Sequence, residues 1–227
     1  MSGLRADGTR PTPKERGKAR AVLNRLKRRY PTIRTALEYR NPWELLVVTI
    51  LSAQTTDENV NRVAPELFRR YPTPADLAEA DPEEVEKIVY STGYYRQKSR
   101  AIIEMSRDLE ERYGGEVPAD LDEMVKLRGV GRKTASVVLA EAWGIPAIAV
   151  DTHVRRVSRR LGLSRQEDPA KIEEDLKALF PEKEWAGLSM RIIQFGRDIC
   201  DARRPRCGEC EMFSLCEWPE RLERAEG

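Results

Sequence analysis

Residues 127–135 read LRGVGRKTA, and this stretch decides how the chain around it folds. Its two glycines, Gly129 and Gly131, are one residue apart and separate two helical segments. Glycine lets the backbone turn tightly and approach another molecule closely, so the stretch predicts a hairpin of two helices. The first amides of the second helix carry positive partial charge, and Arg132 and Lys133 add full charges. The turn is therefore a predicted anion site, although an ordinary helix–helix turn is the plainer interpretation.

Lys133 has two interpretations within this stretch. As a charged, solvent-facing amine it would pair with a phosphate. As a neutral amine it would be a nucleophile, and the neighbouring Arg128 and Arg132 favour loss of its proton. A neutral primary amine can attack a sugar aldehyde and form a Schiff base. The residue type therefore allows either phosphate binding or covalent chemistry at this position.

Helix signals continue on both sides of the hairpin. Asn41 and Thr73 are capping residues that each precede a proline, and Gly114 follows a helical segment from Tyr95 to Tyr113. No stretch alternates apolar and polar residues between hairpin turns, so we predict an all-α fold. The predicted helices cover residues 13–30, 43–53, 56–70, 73–80, 81–90, 95–113, 122–127, 133–143, 152–161, 169–180 and 184–199.

Composition restricts the class of protein. The chain has 227 residues, with 40 Lys and Arg against 38 Asp and Glu, so its formal net charge is +2. No apolar run approaches the ~20 residues that cross a bilayer, and residues 1–14 lack the apolar core of a signal peptide. We therefore expect a cytoplasmic protein, nucleoid-associated if bacterial, with no membrane partner. We also expect a monomer, with residues 1–13 forming a flexible arm.

A second motif is Ile148–His153, in which an apolar segment leads to Asp151 and His153 at the start of a helix. The simpler interpretation makes Asp151 the N-cap of that helix. A carboxylate there could also move a proton or stabilise a developing sugar cation. His153 is interpreted as a capping or phosphate-contacting side chain as readily as a catalytic one.

All four cysteines lie between residues 200 and 216, which argues against a disulfide framework that joins distant segments. Four thiolates in so short a stretch can surround one metal ion or one cubic cluster. Structural zinc usually uses two closely spaced pairs, and only Cys207 and Cys210 have that spacing. The pattern therefore favours one 4Fe–4S cluster, with zinc as the alternative. The candidate ligands are Cys200, Cys207, Cys210 and Cys216, and the basic loop between the first two carries Arg203, Arg204 and Arg206.

Taken together, the three motifs resemble the endonuclease III family, which are helix-hairpin-helix DNA glycosylases and abasic-site lyases of base excision repair. A fourth stretch, Leu51–Asp57, resembles the Leu-Ser-Ala-Gln segment of that family. The resemblance covers roughly Asn41–Trp218. It implies that Lys133 attacks the sugar carbon that carries the damaged base, and that Asp151 assists through its charge and by proton transfer.

The resemblance also implies how double-stranded DNA with damaged bases or abasic sites is bound. The damaged nucleotide has to be flipped out of the helix, and Gln54 matches the residue that fills the vacated stack. A helix-terminal glutamine with no special role is the alternative for Gln54. The motifs and the resemblance together assign DNA contact to Gln54, Tyr94, Arg128, Gly129, Val130, Gly131, Arg132, Thr134, His153, Arg203, Arg204 and Arg206.

Two positions depart from the family pattern. The hairpin usually has proline where this chain has Arg128, an exchange expected to loosen the turn and to add a cation beside the phosphate. Tyr94 stands where the family often has a leucine wedge, and a tyrosine could stack on a base instead of only pushing it.

The fold implied by the resemblance is a six-helix domain, residues 35–145, that carries the hairpin. A second domain would combine residues 14–34 and 146–227 and hold the cluster loop, residues 200–216, with DNA in the groove between the domains. The implied activity is excision of oxidised pyrimidines, followed by β-elimination on the 3′ side of the lesion. The alternatives are a mismatch-specific thymine, uracil or adenine glycosylase and a non-catalytic DNA-binding protein.

Overall fold

The computed structural model describes residues 3–226, and within them every regular element is helical. This confirms the all-α prediction, and most predicted helices begin and end within two residues of the observed ones. In the described residues no helix is long and apolar enough to span a membrane. The α-helices are α1 Pro13–Arg29, α2 Pro42–Leu51, α3 Asp57–Arg70, α4 Pro74–Ala78, α5 Pro82–Val89, α6 Tyr95–Tyr113, α7 Leu121–Met124, α8 Arg132–Trp143, α9 Thr152–Arg160, α10 Pro169–Leu179, α11 Trp185–Asp198 and α12 Glu223–Glu226.

Short-range capping explains why the helix starts were readable from the sequence. The side chains of Asn41, Thr73 and Asp168 each accept a backbone N–H of the helix that follows, and each precedes a proline in the first turn. Such a cap contributes about 1 kcal/mol, and a proline at this position loses no helical hydrogen bond. Both effects act within four residues of chain and need no tertiary contact.

The chain divides into two compact units. Residues 35–145 form one, which we call the hairpin unit because it contains the 127–135 turn. The first 34 residues and those from Pro146 onward form the other, the cysteine unit. Each unit has a hydrophobic cluster of its own.

The hairpin unit is built around α2, whose residues are almost all buried. Leu45 and Leu46 are fully enclosed, and burial of such side chains stabilises the fold by about 1.5–3 kcal/mol each. Trp43 packs edge-on against Phe68 at 5.5 Å between ring centroids. The described part of this unit contains seven α-helices, one more than the six that the resemblance implied, whereas the helix signals in the sequence had predicted all seven, including the single turn α7 just before the hairpin.

The cysteine unit joins the two ends of the chain. Helix α1 packs against α10 and α11 and buries Val22 and Leu26 in the same cluster as Leu188 and Ile192. This pairing is why the N-terminal helix belongs to the unit that carries the cysteines.

The segment that precedes α1 has partners within the cysteine unit, although we expected a flexible arm over residues 1–13. The Arg5 guanidinium donates to the Leu163 carbonyl at 3.4 Å and pairs with Glu15 at 2.8 Å. The backbone N–H of Ala6 donates to the buried carboxylate of Asp175 at 3.1 Å. These contacts involve residues far along the chain, so local composition carried no signal of them. Residues 1–2 of the expected arm lie outside the described residues.

Candidate functional site

The hairpin turn between α7 and α8 is shaped by its two glycines in different ways. Gly129 has φ +78°, and a Cβ there would lie 2.8 Å from the Cβ of Ala101 on α6. The turn therefore packs against α6 too closely for any other residue. Gly131 has φ −85° and open space around its Cα, so its small size leaves room for a ligand and not for a neighbouring side chain.

Helix α8 begins at Arg132 with Gly131 as its N-cap, and no side chain caps its first turn. The first amides of an uncapped helix attract anions, because their N–H groups have no partner within the helix. Val130 is buried beneath the turn, whereas Thr134 is half-buried on the first turn of α8. Arg132 is exposed and takes part in interactions within the chain. The hairpin thus offers a basic, uncapped helix start, as an anion site requires.

Lys133 is exposed in the same turn of α8. Within the described residues its amine makes no hydrogen bond or ion pair, so it faces solvent above the helix start. A reacting electrophile or a phosphate could reach it there.

The structure gives Arg128 a role that differs from the expected loosening of the turn. Its backbone N–H donates to Asp108 Oδ2 at 2.8 Å, and its guanidinium donates to Asp108 Oδ1 at 2.8 and 3.0 Å. Asp108 lies on α6, so the pair ties the hairpin to that helix. Burial by itself raises the pKa of Asp108, but the hydrogen bonds from Arg128 outweigh it and hold the pKa below its ordinary value. Arg128 stiffens the turn, and its charge is shared with a carboxylate.

Asp151 caps α9, as the simpler interpretation had it. Its Oδ1 accepts the backbone N–H of Val154 at 2.8 Å. No partner in the described chain binds Oδ2, so one carboxylate oxygen remains for a ligand. The apolar segment before it is held by Ala149, whose N–H donates to Ser189 Oγ at 3.0 Å. A capping role and a chemical role are compatible at this residue.

His153 packs on Gly196 of α11, where a Cβ would meet the imidazole at 3.0 Å. Its Nδ1 lies 3.0 Å from the guanidinium of Arg156, which also donates to the Gly196 carbonyl and to the Cys200 carbonyl. These contacts hold α9 against α11 and against the start of the cysteine loop. The imidazole therefore has a packing role, which the sequence analysis did not predict.

Gln54 and Tyr94 share an unusual backbone conformation. Among the described non-glycine residues they are the only two with positive φ, at +56° and +48°. Both side chains are exposed, with Tyr94 at 59%. A left-handed backbone at a residue other than glycine costs about 1–2 kcal/mol and is characteristic of functional loops. Gln54, which the resemblance assigns to the vacated stack, and Tyr94, at the position of the leucine wedge, therefore lie in strained, solvent-facing loops.

The four cysteines line one cavity in the cysteine unit, together with apolar side chains that include Leu161, Phe195 and Phe213. None forms a disulfide. Burial raises the pKa of the Cys207 and Cys216 thiols, and that of Cys210 to about 11, while their mutual proximity raises them further. Four thiolates at such a place need positive charge among them, which a bound metal group supplies.

The arrangement of these thiols bears on which group they suit. In the described chain no three His, Cys, Asp or Glu side chains are grouped to hold a single ion. All four thiols nevertheless line one cavity, which suits one metal group held by the four together. The donor set and its apolar walls therefore fit a metal group bound by four cysteines.

The basic loop between Cys200 and Cys207 is ordered by hydrogen bonds from its backbone N–H groups to the side chain of Asp201. The carboxylate of Asp201 accepts the N–H groups of Arg203 and Arg204, both at 2.8 Å. These bonds lower the pKa of Asp201, with that from Arg204 the largest cause. Both arginine side chains are exposed and have no partner in the described chain. Arg206 differs, because its guanidinium donates to the Asp198 carbonyl and pairs with Glu209 at 3.5 Å.

Sequence reasoning missed two residues of these sites. Asp108 is a buried acid within the apolar stripe of α6, and that mismatch with its neighbours was a usable signal. Asn59 joins two loops through its side chain, and nothing in its sequence surroundings marks it.

The comparisons with known proteins identify the family of this chain. Residues 47–182 match the HhH-GPD superfamily of base excision DNA repair proteins, which defines the class. The chain is 49% identical over 200 residues to endonuclease III of Synechocystis sp., covering 88% of this chain and 91% of that protein. With endonuclease III of Escherichia coli (strain K12) the identity is 40% over 202 residues, covering 89% and 96%. The chain belongs to the endonuclease III family.

Solved structures give the same result. A trapped endonuclease III–DNA covalent intermediate superposes with a TM-score of 0.87 at 44% identity, covering 92% of this chain and 98% of that one. A thermostable thymine-DNA glycosylase superposes with a TM-score of 0.81 at 25% identity, covering 90% and 98%. The helix-hairpin-helix glycosylase fold expected from the sequence is confirmed.

Proposed function

We propose that this protein is a bifunctional DNA glycosylase and abasic-site lyase of base excision repair, acting on oxidised pyrimidines in double-stranded DNA. The observation that supports covalent chemistry most directly is the exposed amine of Lys133 at the start of α8, which has no partner among the described residues. A relative with the same fold forms a covalent intermediate with DNA. An enzyme of this kind works in the compartment that holds the DNA, which agrees with the expected cytoplasmic location.

The chemistry assigned to Lys133 proceeds in two stages. The neutral amine attacks C1′ of the flipped nucleotide, the N-glycosidic bond breaks, and the base leaves with the bonding electrons and a proton. Ring opening leaves a Schiff base between Lys133 and C1′. Loss of a C2′ proton then expels the 3′ phosphate by β-elimination, and water releases the amine.

Asp151 is assigned two roles in this reaction, electrostatic stabilisation and proton transfer. Its Oδ1 is used by the α9 cap, and its Oδ2 would stabilise the developing sugar cation or accept a proton from the attacking amine. The uncapped start of α8 and the exposed Arg203 and Arg204 would bind phosphates of the DNA backbone.

Borohydride trapping tests Lys133. Wild-type protein incubated with abasic duplex and borohydride should form a covalent adduct, and Lys133→Gln should form none. Lys126→Gln is the matched control, because Lys126 is an exposed lysine of the same unit that pairs with Glu123 at 2.6 Å. A Lys133→Gln adduct yield close to wild type would refute the assignment.

A cap-preserving substitution tests Asp151. Asparagine caps a helix as well as aspartate does, so Asp151→Asn should fold normally yet lower single-turnover base release by about 10²-fold or more. Asp168→Asn is the matched control, since Asp168 caps α10 in the same unit. Equal rates in the two variants would remove Asp151 from the reaction.

Substrate choice separates the remaining functions. A mismatch glycosylase is the second candidate, supported by the similarity to a thymine-DNA glycosylase. Duplexes with thymine glycol, with G·T or G·U mismatches, with adenine opposite oxidised guanine, and with an abasic site should be compared side by side. We expect release of thymine glycol with strand cleavage. Release from a mismatch alone would select the second candidate, and binding without release on every duplex would indicate a non-catalytic protein.

We further propose that Cys200, Cys207, Cys210 and Cys216 hold one 4Fe–4S cluster. The cluster would offset the negative charge of the four thiolates, which are buried or half-buried, and fix the loop that presents Arg203 and Arg204. Purified protein should contain about four irons and four sulfides per chain, and Cys216→Ser should lower both together with the visible absorption. One zinc per chain without iron would overturn the proposal.

A further inference from the structure

The two strained loops of the hairpin unit are joined by one side chain, that of Asn59 on α3. Gln54 lies in the loop that follows α2, and Tyr94 lies in the loop that precedes α6. Asn59 Nδ2 donates to Thr55 Oγ1 at 2.9 Å and to the Ser91 carbonyl at 2.7 Å. Each bond ends within three residues of one strained residue, on the two different loops.

Every hydrogen-bonding position of the Asn59 amide is used. Its Oδ1 accepts Ser91 Oγ at 3.1 Å and also accepts the guanidinium of Arg62. A primary amide has two N–H donors and one oxygen with two lone pairs, so these four bonds satisfy it completely. The opposite orientation of the amide would turn its N–H groups towards the Arg62 guanidinium, donor against donor. The orientation that links the two loops is therefore strongly preferred.

A second hydrogen bond, from the side chain of Lys98 on α6, also holds the Tyr94 loop. The ammonium of the buried Lys98 donates to the Thr92 carbonyl at 2.7 Å. Two consecutive carbonyls before Gly93 and Tyr94 are thus held, one by Lys98 and one by Asn59. Only Asn59 also reaches the Gln54 loop.

We propose that Asn59 is a positioning residue that couples the Gln54 and Tyr94 loops, so that both side chains enter the duplex together while a nucleotide is flipped out. The inference rests on the proposed function. Flipping a paired base costs a few kcal/mol, which the inserted side chains have to offset. Loops that are ordered before binding lose less conformational freedom on the DNA, and this lowers the barrier.

Asn59→Leu tests the coupling, because leucine has a similar volume and makes no hydrogen bond. Asn61→Leu is the matched control on the same helix. The Asn61 side chain accepts the Glu38 N–H at 3.0 Å and donates to the Ala36 carbonyl at 2.8 Å, so it holds a different loop. Thr55→Val, which removes only the bond to the Gln54 loop, serves as a milder second variant.

The readout is the ratio of single-turnover rates on two substrates, a lesion paired in duplex and the same lesion in an unpaired bulge. We expect Asn59→Leu to lower the paired rate about tenfold, with less than a twofold change on the bulge. Thr55→Val should change the ratio in the same direction, and Asn61→Leu should leave it at the wild-type value. Equal ratios for Asn59→Leu and Asn61→Leu would overturn the proposal.

Hydrogen exchange measures the coupling without any enzymatic activity. Asn59→Leu should accelerate amide exchange in residues 52–56 and 91–94 together, whereas Asn61→Leu should accelerate it near residues 36–38. Unchanged exchange in either strained loop of Asn59→Leu would refute the coupling. If the wild-type protein releases no base from any duplex, the proposed function fails, and this exchange experiment still decides whether Asn59 joins the loops.

Discussion

At the scale of single residues, two glycines of one turn have separate duties. Gly129 has a positive φ and lies against Ala101, so its lack of a side chain serves the fold. Gly131 has an extended backbone and open surroundings, so its lack of a side chain serves the approach of a ligand. The sequence shows only that both residues are glycine. Substitution by alanine distinguishes the reason for glycine at 129, which is packing, from the reason at 131, which is ligand approach.

Gly129→Ala should lower the free energy of unfolding by about 2–4 kcal/mol, because it adds both a strained φ and a close contact. Gly131→Ala should change it by about 0.5 kcal/mol or less, yet weaken binding to duplex DNA, since its methyl group enters the anion site. Urea unfolding and fluorescence anisotropy measure the two effects. Equal loss of stability in the two variants would contradict this division of duties.

At the scale of elements, the hairpin is fastened to α6 by the Arg128–Asp108 pair. The two residues are 20 positions apart in the sequence. The absence of the proline predicted a loose turn because the sequence around the hairpin does not show this contact. A proline at 128 would also lack the N–H that donates to Asp108. This chain therefore stiffens its turn by an ion pair and two kinds of hydrogen bond.

This pair predicts how stability depends on pH. The pKa of Asp108 lies below its ordinary value in the folded state, so its contribution is present above the unfolded pKa of about 3.9 and is lost as pH falls through the folded pKa. Asp108→Asn should cost about 1–3 kcal/mol at pH 7, and its difference from wild type should shrink between pH 5 and pH 3. Urea midpoints at each pH measure this difference.

Asp122→Asn is the control for this experiment, because Asp122 is an exposed carboxylate of the same unit with no partner in the described chain. Its midpoint should follow wild type at every pH. A difference between Asp108→Asn and wild type that stays constant from pH 7 to pH 3 would argue against an ionised, paired Asp108.

At the scale of the whole molecule, the net charge gives little indication of a polyanionic partner, whereas the positions of the charges do indicate one. A net charge of +2 does not by itself favour a polyanionic partner. Some basic side chains have partners within the fold, as Arg206 has in a hydrogen bond to the Asp198 carbonyl and an ion pair with Glu209. Arg203 and Arg204 remain exposed without partners in the described chain, so their charges are available for binding.

The salt dependence of DNA binding measures that available part. The slope of log K against log salt is about −0.9 per phosphate neutralised. Arg204→Gln should reduce its magnitude by about 1, whereas Arg69→Gln, which removes an exposed arginine paired with Glu66, should leave it unchanged. If the two variants have the same slope, Arg204 makes no phosphate contact.

The helices and the motifs were predictable from the sequence because their causes are local. Caps, prolines and apolar spacing act within a few residues, which is why the observed α6 has the predicted limits Tyr95–Tyr113. The resemblance named the family from motifs of the same short range, and the comparisons confirm it. Boundaries were least accurate at α7, where the single turn ends three residues before the predicted limit because the hairpin follows directly.

The sequence alone therefore determined the helical class, the positions of most helices, the family and the identity of the residues proposed for chemistry. Only the tertiary structure decided which side chains meet: Arg128 with Asp108, His153 with Gly196, and Asn59 with two loops at once. The physical reason is range. A helix is specified by neighbours three or four residues apart. The contacts of Arg128 with Asp108, of His153 with Gly196 and of Asn59 with Ser91 join residues 20 to 43 positions apart and exist only after the helices have packed.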